Sequence, residues 1–181
     1  WMNKMPATYI RVNLKRESLE TVMNELIHSE IETVIYSDIF LKVKSGAGRI
    51  LSTELFQNGT ISIQDPASGA VAGIMEPKVS EKILDVCAAP GTKTLYLAEK
   101  VGESGKIVAS DFDEKRVSLG VRDLSRHGLR NIQWEVKDAE KDTYEMADKI
   151  LLDVPCTGTG VLGRKPDIRW RRKLSDVRRM S

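Results

Sequence analysis

The sequence predicts an α/β fold in which an open parallel sheet follows a small N-terminal α/β subdomain. Four short apolar segments, predicted as strands, each stop at an aspartate: Asp85, Asp111, Asp138 and Asp153. Sequence typical of helices follows three of them, and alternating strands and helices indicate a parallel sheet with right-handed crossovers. Hydrophobic residues make up 41% of the 181 residues, so we expect a packed core. Only four such strands fit before Ser181, and we therefore expect the sheet to be incomplete at its C-terminal end.

Residues 1–64 predict the small subdomain. Residues 8–13 alternate between polar and apolar side chains, as an edge or half-buried strand does. Ser18 is predicted to cap a helix, because apolar side chains at helical spacing follow it from Leu19 to Ile27. Further strands are predicted at residues 33–36, 41–44 and 60–64, with glycines and an asparagine in the turns.

Residues 65–181 predict the larger domain with the parallel sheet. Its first helix is expected at about residues 66–75, where Asp65 caps the start and Pro66 suits the first turn. Three more helices are predicted at about residues 94–100, at 114–127 and after Pro166. The first of these helices would lead into the four strands that end in aspartates, and the other three would follow strands one, two and four.

The loop after Asp85 is predicted to hold a nucleoside cofactor. Its small side chains let the backbone approach a ligand, and the candidate residues are Cys87, Ala88, Ala89, Pro90, Gly91, Thr92 and Lys93. Asp111 comes 20 residues after Gly91, a spacing that suits a carboxylate bound to ribose hydroxyls. Asp138 is predicted to take an adenine amino group, and Asp85 or Asp153 an amino group elsewhere on the ligand. Four carboxylates favour hydroxyls and amines over a polyphosphate, which fits S-adenosylmethionine.

Two other nucleotide motifs fit this loop poorly. The loop lacks the GxGxxG pattern of dinucleotide-binding folds. A phosphate-binding P-loop needs a glycine directly before its lysine, whereas Thr92 precedes Lys93, and no glycine stands five places before Gly91. A nucleotide-binding protein of the P-loop type is therefore a weaker hypothesis.

The loop after the fourth strand brings a carboxylate and a thiol close together in the sequence, at Asp153 and Cys156. A thiolate that adds to C6 of a cytosine activates C5 toward methylation, which is covalent catalysis. A carboxylate that keeps N3 protonated would make C6 more electrophilic. Residue chemistry alone favours Cys156 as the nucleophile and Asp153 as its partner.

Composition excludes several other classes of protein. The two cysteines and two histidines are too few for a disulfide framework or a cysteine-rich zinc site, so no metal is expected. No apolar segment approaches the roughly 20 residues that span a bilayer, and residues 1–6 do not resemble a signal peptide. We therefore expect a soluble cytoplasmic protein without a membrane partner. The oligomeric state is left open.

A basic segment near the C-terminus predicts a nucleic-acid partner. Between residues 164 and 179 eight basic and two acidic side chains give a local net charge of +6, against +2 for the whole chain. Phosphates pair with arginine and bases stack on tryptophan, so RNA is the expected partner. The candidate RNA-binding residues are Arg164, Lys165, Arg169, Trp170, Arg171 and Arg172.

Four segments of the sequence carry a resemblance to a known family. One is GTISIQDPAS at residues 59–68. DVCAAPGTKT at residues 85–94 resembles the first motif of the Nop2/Sun RNA cytosine-C5 methyltransferases, and LDVPCTGTGV at residues 152–161 resembles their fourth. RKPDIRW at residues 164–170 is similar to the bacterial Sun type, which methylates small-subunit ribosomal RNA. The resemblance covers about residues 6–170.

This resemblance implies a Rossmann-like class I methyltransferase fold, with residues 1–64 as an RNA-recognition-like subdomain. It implies that residues 87–93, Asp111, Asp138 and Asp153 bind S-adenosylmethionine, and that Asp153 also faces the cytosine. It also implies a different role for Cys156, because the family's nucleophile is a later cysteine, expected here beyond Ser181. Cys156 would then assist release of the methylated RNA.

Two departures from the family pattern shape our expectations. Thr92 stands where the family usually has glycine, which would narrow the methionine end of the cofactor pocket. No cysteine follows Cys156, so we expect a fragment of the enzyme, truncated at both ends. The alternative is a non-catalytic cofactor- and RNA-binding module that acts with another chain.

Overall fold

The structure of the protein is a computed structural model that describes residues 6–154, 156, 158–173 and 175–176. The chain forms two compact units, one of residues 8–153 and one that combines residues 1–7 with residues 154–181. Among the described residues, no helix is both long and apolar enough to cross a membrane.

The first sheet of the larger unit has the strand order β2-β3-β1-β4 and is antiparallel throughout. Its elements are β1 (Tyr9–Val12), α1 (Leu19–His28), β2 (Glu32–Ser37), β3 (Phe40–Ser45), α2 (Glu54–Gln57) and β4 (Ile61–Ile63). This βαββαβ order is that of ferredoxin-like folds. A 3₁₀-helix at Ala47–Ser52 and the short α2 were not predicted from the sequence.

One face of this sheet carries its hydrophobic core. Ile10, Leu41 and Ile61 point to the same side of three neighbouring strands and are almost fully buried. Leu26 of α1 packs in the same core. The predicted cap is confirmed, because the Ser18 hydroxyl accepts a hydrogen bond from the Thr21 amide at 3.1 Å.

The second sheet is parallel, with the order β7-β6-β5-β8, as the alternating sequence pattern predicted. Its strands are β5 (Lys82–Asp85), β6 (Lys106–Asp111), β7 (Ile132–Val136) and β8 (Lys149–Leu151). The helices of this region are α3 (Pro66–Ile74), α4 (Thr92–Val101) and α5 (Glu114–His127). Asp65 caps α3 through a 2.9 Å hydrogen bond from the Ala67 amide, which confirms that helix start.

The strand ends differ in one respect from the sequence prediction. Asp85 and Asp111 are the last residues of β5 and β6, as expected, but β7 ends at Val136 and β8 ends at Leu151. Asp138 and Asp153 therefore lie two residues beyond their strands. Apolar Leu152 continues the pattern after β8, but charged Lys137 follows β7; in both cases the pairing stops where the neighbouring strand ends, at Asp85 and Asp111.

The boundary predicted at residue 64 stays a prediction. The two sheets lie on either side of Gln64 in the sequence and have separate buried cores. Residues 8–153 nevertheless form a single compact unit, because buried polar contacts join the two sheets.

The second unit holds the chain after Asp153. Its described elements are a short 3₁₀-helix at Thr159–Val161 and α6 (Ile168–Arg171). The helix predicted after Pro166 is thus present as a single turn. The Trp170 side chain on it is 87% exposed.

Candidate cofactor site at the strand ends

The loop of residues 87–93, called the cofactor loop below, lies across the carboxyl ends of the second sheet. Just before it, the Val86 amide donates to the Leu151 carbonyl of β8 at 2.9 Å. Within it, the Ala88 amide donates to the Ser110 carbonyl of β6 at 2.8 Å. The loop thus touches the ends of both strands that flank β5. In parallel α/β sheets this edge is where ligands bind.

Gly91 is required by the shape of the cofactor loop. Its φ of +109° is one that L side chains rarely adopt, and an added Cβ would lie 2.9 Å from Cζ2 of Trp134. Trp134 also lies against Gly120 of α5, where an added Cβ would be 2.3 Å from the same ring atom. The two glycines let the tryptophan ring fill the space beneath the loop.

Asp111 ties the cofactor loop to the end of β6. Its buried carboxylate accepts hydrogen bonds at 3.2 Å from the Ala89 and Asp113 amides. Arg116, on the first turn of α5, forms an ion pair with it at 3.1 Å and also donates to the Ala89 carbonyl. Asp111 and Arg116 together therefore fix the position of Ala89. The sequence analysis missed Arg116, although its place one helical turn after a strand-end aspartate was a usable signal.

The Asp85 side chain lies beneath the loop and is enclosed by other residues of the chain. It is 1% exposed, and the Thr94 hydroxyl of α4 donates to it at 2.7 Å. Burial raises the pKa of Asp85 to about 6, against an ordinary value of 3.8, while the Thr94 hydrogen bond and nearby Lys93 oppose that rise. The structure therefore gives Asp85 a buried contact with α4. Thr94 was not singled out by the sequence analysis.

Lys93 and Asp153 form an ion pair at 2.6 Å that joins the first turn of α4 to the chain after β8. Asp153 is half exposed and Lys93 is mostly covered. The structure thus brings together two residues that the sequence predicted separately as cofactor contacts. A ligand amino group that binds Asp153 would share its carboxylate with the Lys93 ammonium.

Asp138 shapes a turn next to Asp111. The Lys137 amide donates to the Asp111 carbonyl at 3.1 Å, so Asp138 follows directly after the point where the two strand ends are bonded. Its carboxylate accepts from the Glu140 amide at 3.0 Å and from Lys141 at 2.7 Å. These hydrogen bonds, that of Lys141 first, lower the pKa of Asp138. The carboxylate is ionised and partly exposed, as its predicted contact with an amino group requires.

Cys87 has the properties of a neutral thiol. It is partly buried in the cofactor loop. Burial raises its pKa, and the carboxylates of Asp111, Asp85 and Asp153 raise it further. Because the thiolate is the reactive form, this environment does not suit a nucleophile. Its place in the loop agrees with the predicted contact with a cofactor.

Cys156 belongs to the second unit. Its side chain is exposed, and the Gly158 amide lies 3.4 Å from its sulfur. Pro155 and Thr157, its neighbours in the fourth motif, lie outside the described residues. The predicted meeting of Cys156 and Asp153 in one pocket therefore stays a prediction.

The predicted RNA-binding residues form part of the surface of the second unit. All six side chains are exposed: Arg164, Lys165, Arg169, Trp170, Arg171 and Arg172. Asp167 pairs with Arg171 at 3.2 Å on α6. Arg178 and Arg179, which also contribute to the basic segment, lie outside the described residues.

Comparison with known proteins shows which family this chain resembles. Residues 72–181 match the model of the 16S rRNA methyltransferase RsmB/F family. The Probable ribosomal RNA small subunit methyltransferase B of Bacillus subtilis is 36% identical over 180 residues, which are 97% of this chain and 40% of that protein. The ribosomal RNA small subunit methyltransferase B of Vibrio vulnificus is 35% identical over 97% of this chain and 42% of its own length.

Solved structures agree with the fold. A methyltransferase homolog protein from Pyrococcus horikoshii superposes with a TM-score of 0.79 at 30% identity, over 98% of this chain and 57% of that one. The chain spans about two fifths of the length of the curated relatives that it matches.

Proposed function

The chain belongs to the RsmB/F family of 16S rRNA methyltransferases, and from this premise we propose that it is the cofactor-binding part of an S-adenosylmethionine-dependent enzyme that methylates C5 of a cytosine in small-subunit ribosomal RNA. One observation carries the proposal. The cofactor loop is folded across the strand ends, where its Ala89 amide donates to Asp111 and its Lys93 pairs with Asp153, and Asp138 follows the point where the ends of β6 and β7 are bonded.

The residues at this edge fit S-adenosylmethionine by their chemistry. Asp111 and Asp138 suit ribose hydroxyls and an adenine amino group, and Asp153 suits an amino group or a cytosine. Gly91 lets the loop backbone lie directly against the Trp134 ring, since a Cβ there would clash with that ring. The loop has no Gly-Lys pair for a triphosphate. When bound, the cofactor supplies the methyl group.

Around the cofactor, the chain's own residues have three tasks in the proposed reaction. Asp111 and Arg116 hold Ala89 in place, and Lys93 holds Asp153 near the start of α4. Asp153 keeps N3 of the cytosine protonated, which makes C6 more electrophilic. A cysteine thiolate then adds to C6, and the C5 carbon takes the methyl group as its bond to the sulfonium breaks and leaves a thioether. A general base removes the C5 proton, which re-forms the ring double bond and expels the thiolate.

We propose that the attacking thiolate comes from a cysteine beyond Ser181 and that Cys156 assists release of the product, as the family resemblance implies. The proposal further includes residues 1–64 as the RNA-recognition-like subdomain and 65–181 as the methyltransferase core. RNA reaches the protein through the exposed basic residues around Trp170. The positive charge of that segment supports this part of the proposal.

Methyl transfer from labelled S-adenosylmethionine to unmodified small-subunit ribosomal RNA tests the proposal. We expect this 181-residue chain to bind S-adenosylhomocysteine but to form no 5-methylcytidine, and a longer chain with the downstream cysteine to form it. Formation of 5-methylcytidine by the 181 residues would instead make Cys156 the nucleophile. Absence of S-adenosylhomocysteine binding in both chains would contradict the proposed cofactor site.

A second candidate is a non-catalytic module that binds cofactor and RNA and acts with another chain. Methyl transfer that appears only when the 181-residue chain is mixed with a second, cysteine-containing polypeptide would support it. A reading frame that continues past Ser181 into a Thr-Cys motif would exclude it.

A further inference from the structure

One face of the first sheet is covered by the helices of the parallel-sheet region. Phe40 of β3 packs against Gly69 of α3, where an added Cβ would lie 2.5 Å from the phenyl ring. Arg11 of β1 reaches Glu99 of α4 on the same face. In RNA-recognition modules with a four-stranded sheet, bases stack on a sheet face. Here that face is largely taken up by contacts within the chain, so it must serve another purpose.

The centre of this contact is a buried ion pair. The Arg11 guanidinium is 2% exposed and donates to both carboxylate oxygens of Glu99, which is 6% exposed; one of these distances is 3.0 Å. Arg11 also lies over the ring of Tyr96, 4.9 Å from its centre. A buried charge is tolerated when all its donors are used, and this guanidinium has further contacts beyond the ion pair.

Gln64 connects the ion pair to the cofactor loop. Its Oε1 accepts from Nε of Arg11 at 2.7 Å, and its Nε2 donates to the Thr92 carbonyl at 3.3 Å. The side chain is 4% exposed, so water does not compete for these hydrogen bonds. Thr92 is the first residue of α4 and follows Gly91 directly.

The same turn of α4 is held from the other side by the strand ends. Thr94 donates to Asp85 of β5, and Lys93 pairs with Asp153 after β8. Three consecutive residues thus make three contacts, one with the first sheet and two with the second. Gln64 therefore ties this turn to the first sheet, while Asp85 and Asp153 tie it to the strand ends of the second.

From this arrangement we propose that Gln64, oriented by Arg11, is a positioning residue that fixes the first turn of α4 and the cofactor loop before it. Its consequence for cofactor affinity rests on the proposed function. The first sheet thereby acts on the cofactor site through the hydrogen bond from Gln64 to Thr92. This action does not require that the sheet itself contacts RNA. Gln64 lies in the segment at residues 59–68 that carries part of the family resemblance, whereas Arg11 lies outside all of those segments.

Two substitutions of Gln64 separate its roles. Gln64→Met keeps the length of the side chain but removes both hydrogen bonds. Gln64→Glu keeps an acceptor for Arg11 but, when ionised, cannot donate to the Thr92 carbonyl. Ser62→Ala is the matched control, because Ser62 is equally buried on the same face of the sheet but contacts His127 and Arg126 of α5.

Two measurements are made on each variant. The first is amide hydrogen exchange of residues 86–95 in the cofactor-free protein. The second is the Kd for S-adenosylhomocysteine by calorimetry. For both Gln64 variants we expect faster exchange and a Kd raised by about three- to tenfold, the loss that follows from one buried hydrogen bond. For Ser62→Ala we expect neither change, even if its Tm falls by a similar amount.

The two measurements distinguish failure of this inference from failure of the proposed function. If exchange and Kd in the Gln64 variants match those of Ser62→Ala, Gln64 has only a general structural role and the inference is overturned. If the unmodified chain does not bind S-adenosylhomocysteine, the proposed function fails. Exchange of residues 86–95 then still decides whether Gln64 positions the loop.

Discussion

The Nδ1 atom of His127 lies 3.8 Å from the Glu99 carboxylate, yet the imidazole is held neutral. Burial lowers the pKa of His127 to about 3, against an ordinary value of 6.5, and the cations of Arg126, Arg11 and Arg16 lower it further. Arg11 already neutralises Glu99, so the histidine gains little from being charged. The buried Glu99 carboxylate thus forms its ion pair with Arg11 and leaves His127 neutral.

Arg11→Met is therefore expected to raise the pKa of His127 toward 6.5, because the substitution removes one cation and leaves Glu99 without its partner. The measurement is an NMR titration of the imidazole between pH 4 and pH 8. Lys15→Met is the control, since Lys15 bonds to the backbone carbonyl of Glu99 and does not lower the His127 pKa. A His127 that remains neutral at pH 5 in Arg11→Met would show that burial and the two other arginines keep it neutral without Arg11. Because a broken buried ion pair can cost about 3–5 kcal/mol of unfolding free energy, the folded fraction is checked by circular dichroism.

Asp85→Asn is expected to stabilise the fold at neutral pH. The folded pKa of about 6 lies above the ordinary 3.8, so the folded state binds more protons between these values and the aspartate loses stability as pH rises through them. Asparagine keeps an acceptor for Thr94 and has no charge to bury. We expect a gain of about 1–3 kcal/mol in unfolding free energy at pH 7.5 and none below pH 3.8. Urea unfolding at both pH values measures it, and an equal gain at both would contradict this explanation.

His127 changes the free energy of unfolding with pH in the direction opposite to Asp85, over the same pH range. Its folded pKa is lowered, so the unfolded state binds more protons between about 3 and 6.5. Its contribution to stability is complete above pH 6.5 and is lost as pH falls toward 3. In Asp85→Asn, where the opposing aspartate is removed, unfolding free energy should therefore fall more steeply on acidification than in the unmodified chain.

Gly91→Ala is expected to weaken both stability and cofactor binding. Alanine at this position would have to adopt a backbone conformation that it avoids, and its Cβ would lie 2.9 Å from the Trp134 ring. We expect a loss of about 1–3 kcal/mol in unfolding free energy and at least tenfold weaker S-adenosylhomocysteine binding. Gly48→Ala is the control, because its Cβ would meet no atom within 4 Å. Unchanged binding in folded Gly91→Ala would remove the cofactor loop from the proposed site.

Asp111→Ala is expected to weaken S-adenosylhomocysteine binding severely, because it removes both the proposed ribose acceptor and the anchor of Ala89. Arg116→Met keeps the acceptor but loosens Ala89, so we expect a smaller loss of about three- to tenfold. Calorimetry on both variants measures which one loses more affinity for S-adenosylhomocysteine. If Arg116→Met weakens binding as much as Asp111→Ala, the carboxylate acts only through the loop and not on the ligand.

RNA affinity is expected to fall steeply with salt, because contacts between arginine and phosphate release counterions. Substitution of Arg169, Arg171 and Arg172 by glutamine should reduce the slope of log K against log salt, whereas Trp170→Ala should lower affinity with little change in slope. Filter binding at 50–300 mM salt to a small-subunit ribosomal RNA fragment measures both. A flat response in the unmodified chain would mean that the arginines only face solvent.

Local sequence determined the elements whose signals lie within a few neighbouring residues. The Asp65 cap and Pro66 predicted the start of α3, and Asp85 and Asp111 marked the ends of β5 and β6. The alternation of strands and helices predicted the parallel sheet. The ends of β7 and β8 were predicted two residues too late, at Asp138 and Asp153, because pairing stops where the neighbouring strand ends, at Asp111 and Asp85.

Tertiary structure decided which of these carboxylates are buried and which cations they meet. Asp85 is enclosed against Thr94, Asp153 is half exposed beside Lys93, and Asp111 is bound by Arg116. Arg11 and Glu99 are 88 residues apart, and no local pattern indicates that they form one buried ion pair. Caps and strand ends depend on the backbone nearby, whereas the burial and pairing of charges depend on which distant segments the topology brings together.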